Sequence, residues 1–116
     1  MKINLLINGQ SVPATLDDNA ASRDFLALLP LTLKLSDYAS TEKIADLPKK
    51  LSTHGAPAGY AAEAGDITYY APWGNLAIFY RRFHHASGLV RLGRLEAGLD
   101  LLQGQGSITV TIEANG

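Results

Sequence analysis

With 116 residues and 12.4 kDa, the chain has the length of one domain and can bury roughly 65% of its unfolded surface, enough for a core without staples. Its 47% apolar and 18% charged content excludes disorder, and ten Lys and Arg against eleven Asp and Glu, net charge −1, lack the basic excess of a nucleic-acid binder. With no cysteine, disulfides, thiolate zinc sites and cysteine nucleophiles are excluded.

Residues 2–7 alternate, with Ile3, Leu5 and Ile7 on one face; Val12, Ala14 and Leu16 alternate again after Asn8-Gly9. Asn-Gly between two alternating runs signals a two-residue hairpin turn, because both central residues take positive φ. That loop sets Leu5 opposite Val12 and Ile3 opposite Ala14, so register and hydrophobic pattern agree. Pro13, on the other face and without an N–H, predicts a sheet edge or a bulge there. Asp17-Asp18-Asn19 offers three N-caps for a helix over Ala20–Leu29. Its apolar face is Ala21, Phe25, Leu28 and Leu29, and Pro30 ends it.

Leu31, Leu33 and Leu35 predict a half-buried strand, and Thr41–Ile44 a short one. Ser52–Gly65 is rich in Ala and Gly, and a loop of that length in a compact domain points to function or to packing. Asp66–Ala71 and Asn75–Arg81 read as buried strands joined by Pro72-Trp73-Gly74. Both of their faces are apolar, which predicts cover on both sides, as in a barrel with packed helices. Phe83–Gly88 reads as a polar turn and Leu89–Arg94 as a strand. Leu95, Leu99 and Leu102 are spaced for a helix face, Gly104-Gln105-Gly106 forms a turn, and Ile108, Val110 and Ile112 alternate in a last strand. Seven or eight strands, two short helices and no βαβ rhythm predict a mainly β, mostly antiparallel sheet. Closure into a small barrel removes its edges.

Chemistry-bearing residues are sparse. His84 and His85 are adjacent and point opposite ways on a strand; with His54 they make a weak metal signal, and no metal or other cofactor is expected. Ser, His and Asp are present without a nucleophile elbow, and Gly104-Gln105-Gly106 lacks the Lys-Ser or Lys-Thr of a phosphate loop. Tyr69, Tyr70, Trp73, Phe79, Tyr80 and Phe83 cluster within fifteen residues. They are either a barrel core with a protected rim or an aromatic-walled pocket with polar tips from Tyr60, Tyr70 and Asn75. Arg81, Arg82, Arg91 and Arg94 lie on two strands, and alternation places Arg91 opposite in face to Arg94. An inward arginine needs a carboxylate, from a ligand or from Glu42, Asp66 or Glu96.

Several strings carry a resemblance. Thr41-Glu42-Lys43-Ile44 with Leu47-Pro48, Gly55-Ala56-Pro57-Ala58-Gly59-Tyr60, Gly65-Asp66-Ile67-Thr68-Tyr69-Tyr70-Ala71-Pro72-Trp73-Gly74-Asn75 and Leu92-Gly93-Arg94 resemble the bacterial cyclophilin-like fold family over nearly the whole chain. The resemblance implies a closed eight-stranded cyclophilin-like barrel with helices plugging its ends. The loop before Gly65-Asp66 reads Ala61-Ala62-Glu63-Ala64, where family members often carry a proline. Cyclophilins proper are prolyl isomerases whose arginine lies in a Phe-His-Arg string. Here the order is Phe79-Tyr80-Arg81-Arg82-Phe83-His84-His85, so no catalytic residue carries over and isomerase activity is not expected.

The expectation is one domain over residues 1–116 that binds a small acidic molecule or a peptide. The site residues are Tyr60, Tyr70, Trp73, Asn75, Arg91 and Arg94, in a partly apolar pocket bordered by the 52–65 loop. Alternatives are a weak prolyl isomerase and an accessory protein to a small-molecule enzyme. The longest apolar run, Phe25–Leu35, is broken by Pro30 and Lys34 and falls short of the about 20 residues of a spanning helix. Met1-Lys2-Ile3-Asn4 has no signal-peptide architecture. The expected setting is therefore cytoplasmic, without membrane or nucleic acid, as a monomer or weak homodimer.

Overall fold

Asn8 and Gly9 take φ of 51° and 79°, the left-handed pair that a type I′ turn requires. They join β1 (Lys2–Ile7) to β2 (Gln10–Leu16). The register is Leu5 to Val12 and Ile3 to Ala14, as the alternation demands. Asn19 caps α1 (Ala20–Leu28), its side-chain oxygen accepting from the Ser22 amide at 2.8 Å. The helix stops at Leu29, extended before Pro30. This computed structural model describes residues 1–103 and 106–115, so Gly104 and Gln105 of the expected turn lie outside the described residues.

The remaining strands are β3 (Leu31–Tyr38), β4 (Glu42–Asp46), β5 (Gly59–Ala61), β6 (Asp66–Tyr70), β7 (Asn75–Phe79), β8 (His85–Ser87), β9 (Leu89–Leu95) and β10 (Ile108–Ala114). Eight of them close a barrel in the order β1-β10-β3-β4-β7-β6-β9-β2, every neighbouring pair antiparallel. The inner core takes Ile3, Leu5, Val12, Leu35, Ile67, Tyr69, Leu76, Ile78, Leu92 and Val110 from the strands, with Ala21 and Phe25 from α1. Among the described residues no helix is long and apolar enough to cross a membrane.

Three sequence expectations change. The strand carrying Pro13 is not an edge, because β2 closes the barrel against β9. Pro13 stands just before that ladder, which runs Ala14–Leu16 against Leu95–Gly93, and the missing N–H is tolerated at its end. The second helix is only a 3-10 turn at Leu99–Leu101, since Leu95 completes β9 and Gly98 is left-handed at φ 76°. The outer faces of β6 and β7 are covered by a ribbon of β5 and β8 rather than by a helix. Beneath it lie Ala62, Ala77, Phe79 and Leu89, with Tyr60, Phe83 and Ala86 packed on them. Gly59 admits the close approach: a Cβ there would lie 2.6 Å from the Ala86 carbonyl oxygen.

Candidate functional site

Simple alternation puts Arg91 and Arg94 on opposite faces, but the strand does not alternate simply. Ile67 pairs with Gly93 and Thr68 with Arg91, a register shift that leaves Leu92 as the extra residue on β9. Both arginines consequently converge on one carboxylate. Arg94 Nη1 donates to Asp66 Oδ1 at 3.3 Å, and Arg91 Nη1 is 3.8 Å from the same oxygen. Gly93 makes the bulge compatible with barrel closure, since a Cβ there would stand 2.1 Å from the Thr15 carbonyl oxygen.

Asp66 has a fully buried side chain. A buried charge survives only when it is paired and hydrogen-bonded. Here the Tyr60 hydroxyl donates to Oδ2 at 2.6 Å and the Glu63 amide to the same oxygen at 2.8 Å, while Oδ1 faces the two guanidinium groups. Burial, and then the hydrogen bond to Asp66, push the Tyr60 phenol above its ordinary pKa. Burial works against the charge of Arg91, but Tyr60, Asp17 and Asp66 outweigh it and hold its pKa above the usual arginine value. Arg91 Nε is 3.0 Å from Asp17 Oδ2, yet makes no hydrogen bond among the described residues. The pair is therefore coulombic contact without good donor geometry.

Arg91 and Tyr60 both line a cavity of about 270 Å³ between β9, the start of α1 and residues 54–60, with Asp17 and His54 on its rim. The 52–65 segment is held at its start and at its middle. The Ser52 amide donates to Asp24 on α1 at 2.7 Å, and the Gly88 amide donates to the Ala58 carbonyl at 2.9 Å. Arg91 and Arg94 together line a more open hollow of about 420 Å³ with Thr15, Asp17, Leu95 and Glu96.

Tyr70 and Trp73 line a second cavity, of about 170 Å³, with Tyr38, Glu42, Phe79 and Phe83. Leu89 borders both cavities. Asn75 lines neither: it is buried at the start of β7, opposite Tyr70 and Asp46. The six residues expected from the sequence thus divide: Tyr60 and Arg91 line one cavity, Arg91 and Arg94 the open hollow beside their shared carboxylate, Tyr70 and Trp73 the aromatic cavity, and Asn75 stands apart.

Glu42 and Tyr38 were not among them. Tyr38 and Glu42 face each other across the β3–β4 hairpin, but what surrounds them depends on the long-range pairing of Glu42 with Phe79, which no local pattern specifies. Burial, and then the nearby Asp37, push the Glu42 carboxyl up to about 7. On the other face of β4, Lys43 is buried, with Nζ 3.3 Å from Asp37 Oδ1. Tyr80 also donates to Asp37; that bond, ahead of Lys43, holds the Asp37 carboxyl below the usual range despite burial. Among the described residues no group of three or more His, Cys, Asp and Glu is placed to hold a metal ion. His84 stacks on Phe83, and His85 lies against Gly59.

The model of the Cyclophilin-like family matches residues 5–113, and the chain belongs to that family. No curated protein matches it.

Proposed function

We propose that this member of the cyclophilin-like family is a binding module for a small carboxylate-bearing molecule, or a peptide carboxylate, taken up beside Arg91. The observation that carries the proposal is the placement of the Arg91 guanidinium: it lines an open, largely apolar cavity while its links to Asp17 and Asp66 are poor hydrogen bonds. A ligand carboxylate in that cavity offers the bidentate geometry that neither protein carboxylate supplies. Tyr60 holds Asp66 from the far side, and the small residues of the strap, Gly55, Ala56 and Pro57, lose little side-chain entropy on ordering over a ligand.

Prolyl isomerisation finds less support. The Phe-His-Arg string of cyclophilins proper is absent, the order here being Phe79-Tyr80-Arg81-Arg82-Phe83-His84-His85, and the aromatic cavity presents the carboxylate of Glu42 rather than a cation. Binding is tested by titrating acetate, succinate and a short peptide with a free C-terminus while following the Arg91 side-chain and Tyr60 resonances. Saturable shifts that vanish in Arg91→Gln are expected. Shifts that persist in that variant, or no saturation with any probe, would reject the carboxylate site.

A further inference from the structure

The second cavity is a box of aromatic rings with a carboxylate in it. Trp73 meets Tyr38 edge-on, with ring centroids 5.5 Å apart and planes at 85°, and meets Tyr70 likewise at 5.3 Å and 81°. Phe79 and Phe83, their centroids 5.7 Å apart, line the same cavity. Trp73 is 55% exposed and Tyr38 is 44% exposed, an apolar outlay on the surface that folding alone does not require. The rings come from distant parts of the chain: Tyr38 ends β3, Tyr70 and Trp73 flank the β6–β7 turn, and Phe83 precedes β8. Ring faces carry negative quadrupole density, so rings set at right angles around one volume attract a cation.

Charge settles the sign of the occupant. Glu42 lines the box and forms no ion pair among the described residues, while Lys43, its neighbour in sequence, lies on the other face of β4 with Asp37. We propose that this cavity binds the head of a small organic ammonium ion, best a quaternary or methylated one, between Trp73, Tyr38, Tyr70 and the Glu42 carboxylate. A volume of about 170 Å³ suits it, since a cavity of about 150 Å³ holds a benzene-sized guest. Methylation favours the site because the ring walls offer dispersion contact and no hydrogen-bond acceptors, so a poorly hydrated cation loses least on entry. The Glu42 carboxyl, held near 7 by burial and Asp37, ionises fully when a cation arrives, so binding strengthens as pH rises through that value. The other charged and titratable groups nearby are Asp37, Lys43 and Tyr80 towards the core, Arg81 next to Tyr80, and His84 behind Phe83. This site is separate from the Arg91 cavity, and either can fail without the other.

The test uses choline against its neutral carbon isostere, 3,3-dimethylbutan-1-ol, with the emission of Trp73, the chain's one tryptophan, as readout. Choline should saturate the signal and bind about tenfold tighter than the alcohol. Glu42→Gln should weaken choline about fivefold and abolish the gain in affinity between pH 6 and pH 8, and Tyr38→Ala should weaken it similarly. Both variants keep Trp73 as the reporter, and unchanged far-UV circular dichroism verifies their folding. Equal or tighter binding of the alcohol would overturn the proposal and leave an apolar pocket. So would the absence of choline saturation, or a pH dependence retained in Glu42→Gln, which would remove Glu42 as the group that pairs with the cation.

Discussion

Replacing Asp66 with Asn removes one charge and no volume from the most connected polar group of the barrel wall. The carboxylate accepts from Tyr60, the Glu63 amide and Arg94, with Arg91 at 3.8 Å. Asparagine can present an oxygen to only one side. With its oxygen towards Tyr60 and Glu63, its amide points at two guanidinium groups; reversed, the amide meets the Glu63 N–H. Hydrogen bonds to charged groups contribute about 1.5–3 kcal/mol each. Arg94 is half exposed and recovers water, and the Tyr60 hydroxyl rotates, so the net loss is about 3 kcal/mol. For a domain of this length that is about 10 °C in Tm. Urea unfolding at constant m, followed by Trp73 emission, measures the loss. Tyr60→Phe alone should cost about 1 kcal/mol, and the double variant less than the sum, because the two groups share one bond. A loss below about 0.5 kcal/mol in Asp66→Asn would refute the claim that both arginines depend on this carboxylate.

Gly93→Ala should destabilise by about 2–3 kcal/mol or more, because the new methyl meets backbone at the β2–β9 seam rather than a side chain that can swing away; calorimetry checks it, and a near-neutral result would remove the close approach. Gly9→Val, with nothing within 4 Å of its Cβ, should cost only the strain of positive φ, about 1–2 kcal/mol in a chemical melt. Glu42 has a folded pKa of about 7 against an ordinary 4.5. Its contribution to stability is therefore fully present below about 4.5 and lost as pH rises through about 7. Glu42→Gln should accordingly gain on the wild type between pH 5 and pH 8, by about 1 kcal/mol after solvent screening of a part-exposed group; parallel pH profiles would contradict this.

What the sequence disclosed was what neighbouring residues can say to one another. The Asn8-Gly9 turn, the cap at Asn19, the stop at Pro30 and the alternation of β1, β2 and β10 are all decided within a few residues, and each appears in the fold. The family strings added closure into an eight-stranded barrel. Pairings between distant segments were out of reach. Gly59-Tyr60-Ala61 and His85-Ala86-Ser87 are too short for a periodic signal, yet they pair into the ribbon that covers Phe79 and Leu89. The register shift on β9 is likewise silent in the sequence, because Leu92 continues the alternation and only the position of β6 reveals it as extra. For the same reason Arg91 and Arg94 could be named while their common side could not. Glu42 was read only as a possible partner for an inward arginine, and its aromatic surroundings come from four other parts of the chain.

Both cavities arise where the barrel wall is built over, and the bare wall provides neither. The outer faces of β6, β7 and β9 carry Phe79, Leu89 and Arg91, side chains that cannot be left in water together without a cover. The 52–65 segment and residues 83–88 provide that cover, fastened to each other by β5–β8 and to the helix through Ser52 and Asp24. Where the cover meets the wall imperfectly, on either side of Leu89, space is left: one hollow on the arginine side, one on the aromatic side. The barrel sets the positions of Glu42, Asp66 and Arg91 through its register, and the covering segments set what can reach them. Substitutions at His54, Ala56 or Pro57, which line the arginine-side hollow from the cover, should therefore change ligand preference with little loss of stability, whereas changes at Asp66 or Gly93 should destabilise the barrel wall that positions both hollows.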